Sequence, residues 1–432
     1  MLRRKFSDFL KKWRRTKKSE CLMVYGPRQV GKTYVVEKFG REEYDSFIEI
    51  NFFLHPELKT IFDGSLEASE IYKRISANIS GVDFIPGKTL IFLDEIQECP
   101  NARTALKFLA IDNRYDVVAS GSLLGLHYKQ IASIPVGYEK IVEMYSLDFE
   151  EFLWANGYSE EAVLILKSYF EKREKVPEVI NQKYLHLFKE YMVVGGMPEA
   201  VNAYLESSSY QAAHEVQKKI LASYHDDIAK YASVPEKQKI NDCYNSIPRQ
   251  LAAEYKKFQY KAVSASGSAR KYTGSLDWLC DAGFVRKVKN VSLAEFPLKA
   301  YEIENEFKIY ITDTGLLTAM YGFELQASLL KDSLKGHAKG GIYENAIFEM
   351  FLKKGRHVNY YKVQGNSQEI EFVFDKDASA VPVEVKSNQG STVSLNSFMK
   401  KYKPPVAYKL INGNLGVVEN KISIPHYMAM FL

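Results

Sequence analysis

Cysteine is scarce in this chain: Cys21, Cys99, Cys243 and Cys280 are the four in 432 residues, far apart and without a Cys-x-x-Cys pair. That spacing excludes a zinc ribbon and a disulfide-stapled secreted fold, and it fits a reducing cytoplasm, the expected location. Long apolar runs are missing too. No stretch of roughly 18 apolar residues occurs, so no membrane-spanning helix is expected. The opening MLRRKFSDFLKKWRRTKKSE lacks the unbroken apolar segment of a signal peptide. Charge of one sign is also lacking. The formal net charge is +5, but residues 1–20 carry nine basic and two acidic side chains, leaving 49 basic against 51 acidic in the rest. A surface that coats nucleic acid along its whole length is excluded, and only a local basic patch could meet phosphates.

What is present is a globular composition, 46% hydrophobic and 13% aromatic, at a length that calls for about three domains. On a helix, Leu2, Phe6, Phe9, Leu10 and Trp13 form one stripe framed by Lys and Arg. Such a stripe can lie on an anionic membrane or on nucleic acid. Packing on the following domain is the ordinary use and the expected one.

The stretch CLMVYGPRQVGKTYVVEKFG carries the most specific chemistry. An apolar strand, 21–25, runs into Gly26, Pro27, Arg28, Gln29, Val30, Gly31, Lys32 and Thr33, and then into a helix-compatible segment. This is a phosphate loop in its strand, loop, helix context. Glycines let successive backbone N–H groups curl around phosphate oxygens, and the following helix adds its positive end. All eight residues are expected to bind nucleotide, with Lys32 acting catalytically on the β- and γ-phosphates and Thr33 holding Mg2+.

The second half of the site is TLIFLDEIQ, an apolar strand delivering Asp94 and Glu95 at its carboxyl end. Asp94 is expected to support Mg2+, and Glu95 to polarise the water that attacks the γ-phosphate. Segments 47–51, 116–122 and 140–147 read as further strands between helical patterns, which implies a parallel sheet with helices on both faces. In DVVASGS, Ser120 or Ser122 stands where a polar group could sense the γ-phosphate, and Ser122 is taken as the third catalytic candidate. A plain turn through Gly121 is the alternative. No Asn-Lys-x-Asp guanine-reading motif occurs, which favours ATP over GTP.

Beyond this core, residues 1–150, the pattern turns helical over 151–235, as in a lid beside a nucleotide site. Gly195 and Gly196 break it, and Pro198 can start a new helix. Residues 236–325 read as short helices followed by a hairpin, the order of a winged helix. Lys256, Lys257, Lys261, Arg270, Lys271, Arg286, Lys287 and Lys289 are its candidate phosphate contacts. Winged helices also serve as protein-interaction modules.

Together GPRQVGKT, IFLDEIQ, ASGSLLG, YSLDFEEFLWANG, VVGGMPEAV, SYHDDIAKY, SLDWLCDAGFV and ITDTGLL resemble bacterial and archaeal AAA-type ATPases that carry a conserved C-terminal domain of unknown function. The resemblance covers nearly the whole chain. It implies an ATP-hydrolysing machine related to archaeal AAA and signal-transduction NTPases. Many relatives carry Gly-Arg shortly before the YSLDFEEF segment, whereas this chain has Gly137-Tyr138, so no arginine finger carries over.

Residues 326–432 hold a different pattern. At 100° per residue, Ile347, Phe348, Phe351 and Leu352 make an apolar arc with Glu344 near its middle, and a carboxylate aimed into a core needs a cation or donors. In QEIEFVF, Glu371 alternates with apolar residues, and Glu384 and Lys386 share a face of the strand SAVPVEVKS. A helical Glu, a strand acid and then Glu-x-Lys is the order of the PD-(D/E)XK nuclease fold, in which carboxylates bind Mg2+ and the Lys polarises its water. The expected fold class is therefore α/β multidomain: a P-loop parallel sheet with a helical lid, a winged-helix-like segment and a restriction-endonuclease-like C-terminal domain. The expected function is Mg2+-dependent ATP hydrolysis, acting on or regulated by DNA or another nucleic acid, with a protein partner or homo-oligomer as other candidates. The alternatives are an ATP-gated regulatory switch with little turnover and an ATP-gated nuclease.

Overall fold

The apolar segments around the phosphate loop pair as one sheet in the computed structural model, which describes residues 2–122, 137–363, 365, 368–387 and 392–432. Strands β1 (Cys21–Gly26), β2 (Ser46–Asn51), β3 (Thr89–Asp94), β4 (Asp116–Ser122) and β5 (Glu139–Glu143) stand in the order β2-β3-β4-β1-β5. Every pairing is parallel. β3 and β4 are buried along their whole length, as parallel strands covered on both faces must be. Helices Ala68–Asn78 and Pro100–Asp112 close over one face. Ile71, Ile75, Leu106 and Leu109 there join Ile50, Ile91 and Leu93 in a single core. This order sets the carboxyl ends of β1, β3 and β4 side by side, where doubly wound sheets hold their ligands.

The basic N-terminal helix, Lys5–Thr16, packs on this same unit. Leu10 and Trp13 are buried, and Arg4 donates to Val30 O at 2.9 Å and Tyr145 O at 2.6 Å.

The chain divides into two compact units, the first built from Arg3–Ser146 with Asp281–Gly283 and the second from Leu147–Cys280 and Phe284–Leu432. The segments read as lid, winged helix and C-terminal domain fall in the second, apart from Asp281–Gly283. The boundary expected near residue 325 lies inside one sheet. Strands β6 (Val285–Val291) and β7 (Glu302–Ile311) form the expected hairpin, but β6 also runs parallel to β8 (Asn359–Lys362). With β9 (Glu369–Lys376), β10 (Ser379–Lys386), β11 (Ala407–Ile411), β12 (Gly416–Val418) and β13 (Lys421–Pro425) the order is β12-β13-β11-β10-β9-β8-β6-β7. An isolated hairpin leaves two open edges, and pairing one of them to a distant strand satisfies backbone groups that local sequence cannot assign.

Two motifs of the second unit lock onto each other. Helix Glu178–Val194 ends at Gly195 with its last carbonyls lacking intrahelical donors. Gln217 Nε2 donates to Val193 O and Val194 O, both at 2.8 Å, and Thr318 Oγ1 donates to Met192 O at 3.0 Å. Asp313 Oδ2 accepts from Gly196 N at 2.9 Å. Pro198 then opens the next helix, Pro198–Ser207. Among the described residues no helix is long and apolar enough to cross a membrane.

Candidate functional site

The phosphate loop leaves β1 at Gly26, whose φ is +154°. A Cβ there would lie 2.1 Å from the carbonyl oxygen of Met144, so only glycine lets the two segments approach. Gln29 follows in the left-handed region at φ +59°, and Gly31 caps helix Lys32–Glu43 at φ +90°. Pro27 and Val30 are buried, Arg28 half-buried and Gln29 exposed. Lys32 is buried within the loop, and its Nζ donates to Gly26 O at 3.0 Å and Pro27 O at 2.8 Å. Burial pulls its ammonium down to about 8, against the pull of Glu95 and Asp94.

Asp94 gathers the polar groups at the strand ends. Its Oδ2 accepts from Thr33 Oγ1 at 3.0 Å and from Asn51 Nδ2 at 2.8 Å, and its Oδ1 accepts from Ser120 Oγ. Burial raises the Asp94 carboxyl, while the hydrogen bond from Ser120 opposes that shift. Thr33 and Asp94 thus offer only oxygen donors at close range, the set a hard divalent cation takes. Ser122 lies one strand away, in register beside Gly26 and buried. Of the two serines, Ser120 is the one bonded to Asp94. Glu95 leaves β3 with φ +53° and ψ 45°, a conformation costing a non-glycine residue about 1 to 2 kcal/mol, and one that concentrates at functional sites.

Asn51 was not singled out by sequence reasoning. Its one signal is positional: β2 ends on it, in register with Asp94. Its Oδ1 also accepts from the backbone N–H groups of Phe53 and Leu54, at 3.1 and 2.9 Å.

In the second unit, Glu344 is 2% exposed and its charge is met from three sides. Lys308 Nζ lies 2.7 Å from Oε1, Lys256 Nζ lies 3.1 Å from Oε2, and Tyr310 OH donates to Oε1. Burial opposes the Glu344 charge, but Lys256 and Lys308 hold the carboxyl well below its usual range. Lys308 is itself fully buried and also pairs with Glu369. Glu371 meets a different cation: Lys386 Nζ at 3.3 Å, with the Val385 N–H at 3.1 Å. Glu384 is fully buried, with Lys386 Nζ 3.4 Å from its Oε1, yet neither of its oxygens accepts a hydrogen bond among the described residues. Burial raises both carboxyls, against Lys386. Of the four predicted residues, Lys386 therefore pairs with Glu371 and Glu384, while Glu344 is met by Lys256 and Lys308, and no group of three or more His, Cys, Asp or Glu placed to hold a metal occurs among the described residues.

Three of the lysines read as phosphate contacts also find acids nearby. Lys257 pairs with Glu306 at 2.8 Å, Lys287 with Asp277 at 2.5 Å and Lys289 with Glu304 at 2.7 Å. Lys289 and Glu304 stand on the paired strands β6 and β7, where opposite charges meet without any ligand.

Residues 18–153 match the family described as AAA domain. Residues 185–327 match a domain of unknown function, DUF8612, and residues 339–426 another, DUF4143. An uncharacterized protein of Methanocaldococcus jannaschii is 25% identical over 411 residues, covering 92% of this chain and 81% of its own length. One from Haemophilus influenzae is 24% identical over 323 residues, covering 73% and 71%. Among solved structures, the Walker-type ATPase PABY2304 of Pyrococcus abyssi is similar at 15% identity and a TM-score of 0.42, covering 74% of this chain and 96% of that one.

Proposed function

We propose that the protein is a Mg2+-dependent ATPase whose chemistry is carried by Lys32, Thr33, Asp94 and Glu95. The observation that carries this reading is the contact of Thr33 Oγ1 with Asp94 Oδ2 at 3.0 Å, which joins the phosphate loop to the end of β3. Residues 26–33 cradle the triphosphate through backbone N–H groups, and Lys32 exchanges its loop carbonyls for phosphate oxygens. Thr33 and Asp94 hold Mg2+, which when bound neutralises charge on the β- and γ-phosphates. Glu95 accepts the proton of the attacking water as its oxygen bonds to the γ-phosphorus and the bond to ADP breaks. Ser122, in register beside Gly26 on β4, is the proposed sensor of the γ-phosphate.

Glu95→Gln should bind ATP within about threefold of the unaltered affinity and lose at least about 100-fold in turnover, the range a general base supplies. Unchanged turnover would remove the assignment. Turnover of the unaltered protein far below about 1 s⁻¹, unstimulated by DNA, RNA or self-association, would instead identify an ATP-gated switch.

A second reading is favoured by Glu384, a fully buried carboxylate beside Glu371 that is met by Lys386 Nζ at 3.4 Å and, among the described residues, by no hydrogen bond of good geometry. This pair, rather than Glu344, holds a divalent cation, and Lys386 orients its water toward a phosphodiester. Mn2+ should then raise the unfolding temperature of the intact protein and leave Glu384→Gln unmoved. An equal shift in both would discard this reading.

A further inference from the structure

Gln97 approaches the Glu95 carboxylate from within the same loop. After the left-handed backbone at Glu95, the chain makes one tight turn, Ile96–Glu98, closed by Glu98 N donating to Glu95 O at 2.9 Å. That turn folds Gln97 back on its neighbour, and Gln97 Nε2 donates to Glu95 Oε2. A carboxylate accepts and does not donate, so this contact dictates which way the Gln97 amide points.

The amide oxygen is then turned the other way, toward β4. It meets Gly121, where a Cβ would stand 2.7 Å from Gln97 Oε1. Gly121 lies inside β4 and makes no turn; its missing side chain is the clearance that the amide occupies. Gln97 is 5% exposed, and Oε1 has no hydrogen-bond partner among the described residues. A buried glutamine that merely braced its loop would be expected to bond backbone groups at both ends. Here the hydrogen bond goes to the expected general base, and leaving the other end unmatched is costly.

We propose that Gln97 is the positioning residue for Glu95 in ATP hydrolysis, and that Gly121 is required because it leaves room for the Gln97 amide; this rests on Glu95 being the general base. The Glu95 carboxylate pivots on three side-chain torsions. A donor fixed on one oxygen leaves the other aimed for the attacking water, sparing the search over rotamers that lowers the fraction of productive complexes.

Gln97→Met keeps the length of the side chain and removes the donor. Its kcat should fall about 10- to 100-fold, as when an orienting hydrogen bond is lost, while KM for ATP stays within about threefold. Gly121→Ala should produce the same split from the other strand without altering either side chain. Binding of a non-hydrolysable ATP analogue reports that both variants retain the site. In the Glu95→Gln background, Gln97→Met should change the residual rate less than about twofold, because a residue acting only through Glu95 has nothing left to position. Unaltered kcat in Gln97→Met, or an equal further loss in the double variant, would overturn the proposal. Unaltered turnover in Glu95→Gln alone would instead remove the base assignment, and the inference with it.

Discussion

Glu344, Glu371 and Glu384 occupy one unit, yet their neighbours give them opposite electrostatic fates. Glu344 has two ammonium groups and a phenol, while Glu384 has one ammonium at 3.4 Å and no donor in hydrogen-bonding geometry among the described residues. A helical wheel showed that Glu344 faces a core. It could not show that Lys308, 36 residues earlier, would meet it there. His426 illustrates the same dependence with a measurable consequence. Its fully buried ring lies 4.6 Å from that of Tyr343 and stacks on Phe188 at 6.2 Å. Burial pulls its pKa from 6.5 down to about 3; the backbone of Lys386 opposes this and Lys339 adds to it. Below about 6.5 the unfolded chain takes up a proton that the folded chain refuses, so stability falls as pH drops toward 3, by about 1.4 kcal/mol per pH unit. His426→Phe should remove that contribution. Denaturant unfolding at pH 7.5 and 4.5 should show the variant gaining about 2 to 3 kcal/mol relative to the unaltered protein at the lower pH.

Elements differ in how much of their role is local. The strand, loop and helix around residues 21–43 were legible because their glycines, lysine and threonine act within a few residues of one another. The pair Gly195-Gly196 was legible only as a break. In the structure Gly195 has φ 74° and ψ −170°, a region essentially closed to other residues, and a Cβ on it would stand 2.4 Å from Asp313 Oδ1 and 2.9 Å from the Cα of Gly315. Helix Glu178–Val194 is thus seated against the segment after β7. Gly195→Ala should cost about 3 kcal/mol or more in denaturant unfolding. Gly274→Ala, where an added Cβ meets nothing within 4 Å, should be neutral or stabilise by up to about 1 kcal/mol.

At the scale of the molecule, the sequence alone determined the parallel P-loop core and the order of its strands along the chain. It also showed the placement of Asp94 and Glu95 at a strand end, because buried parallel strands and phosphate loops write continuous local patterns. It did not determine the boundaries of the second unit, since β6 pairs across some 70 residues with β8 and no local period reports a distant partner. The tertiary structure decided which serine bonds Asp94, brought Asn51 to the same carboxylate and set Gln97 between Glu95 and Gly121. It also set Lys386 against Glu371 and Glu384, and Lys256 and Lys308 against Glu344. The physical reason is common to all of these. Periodicity fixes the face on which a side chain leaves its element, whereas charge compensation and hydrogen bonding depend on which other element arrives at that face.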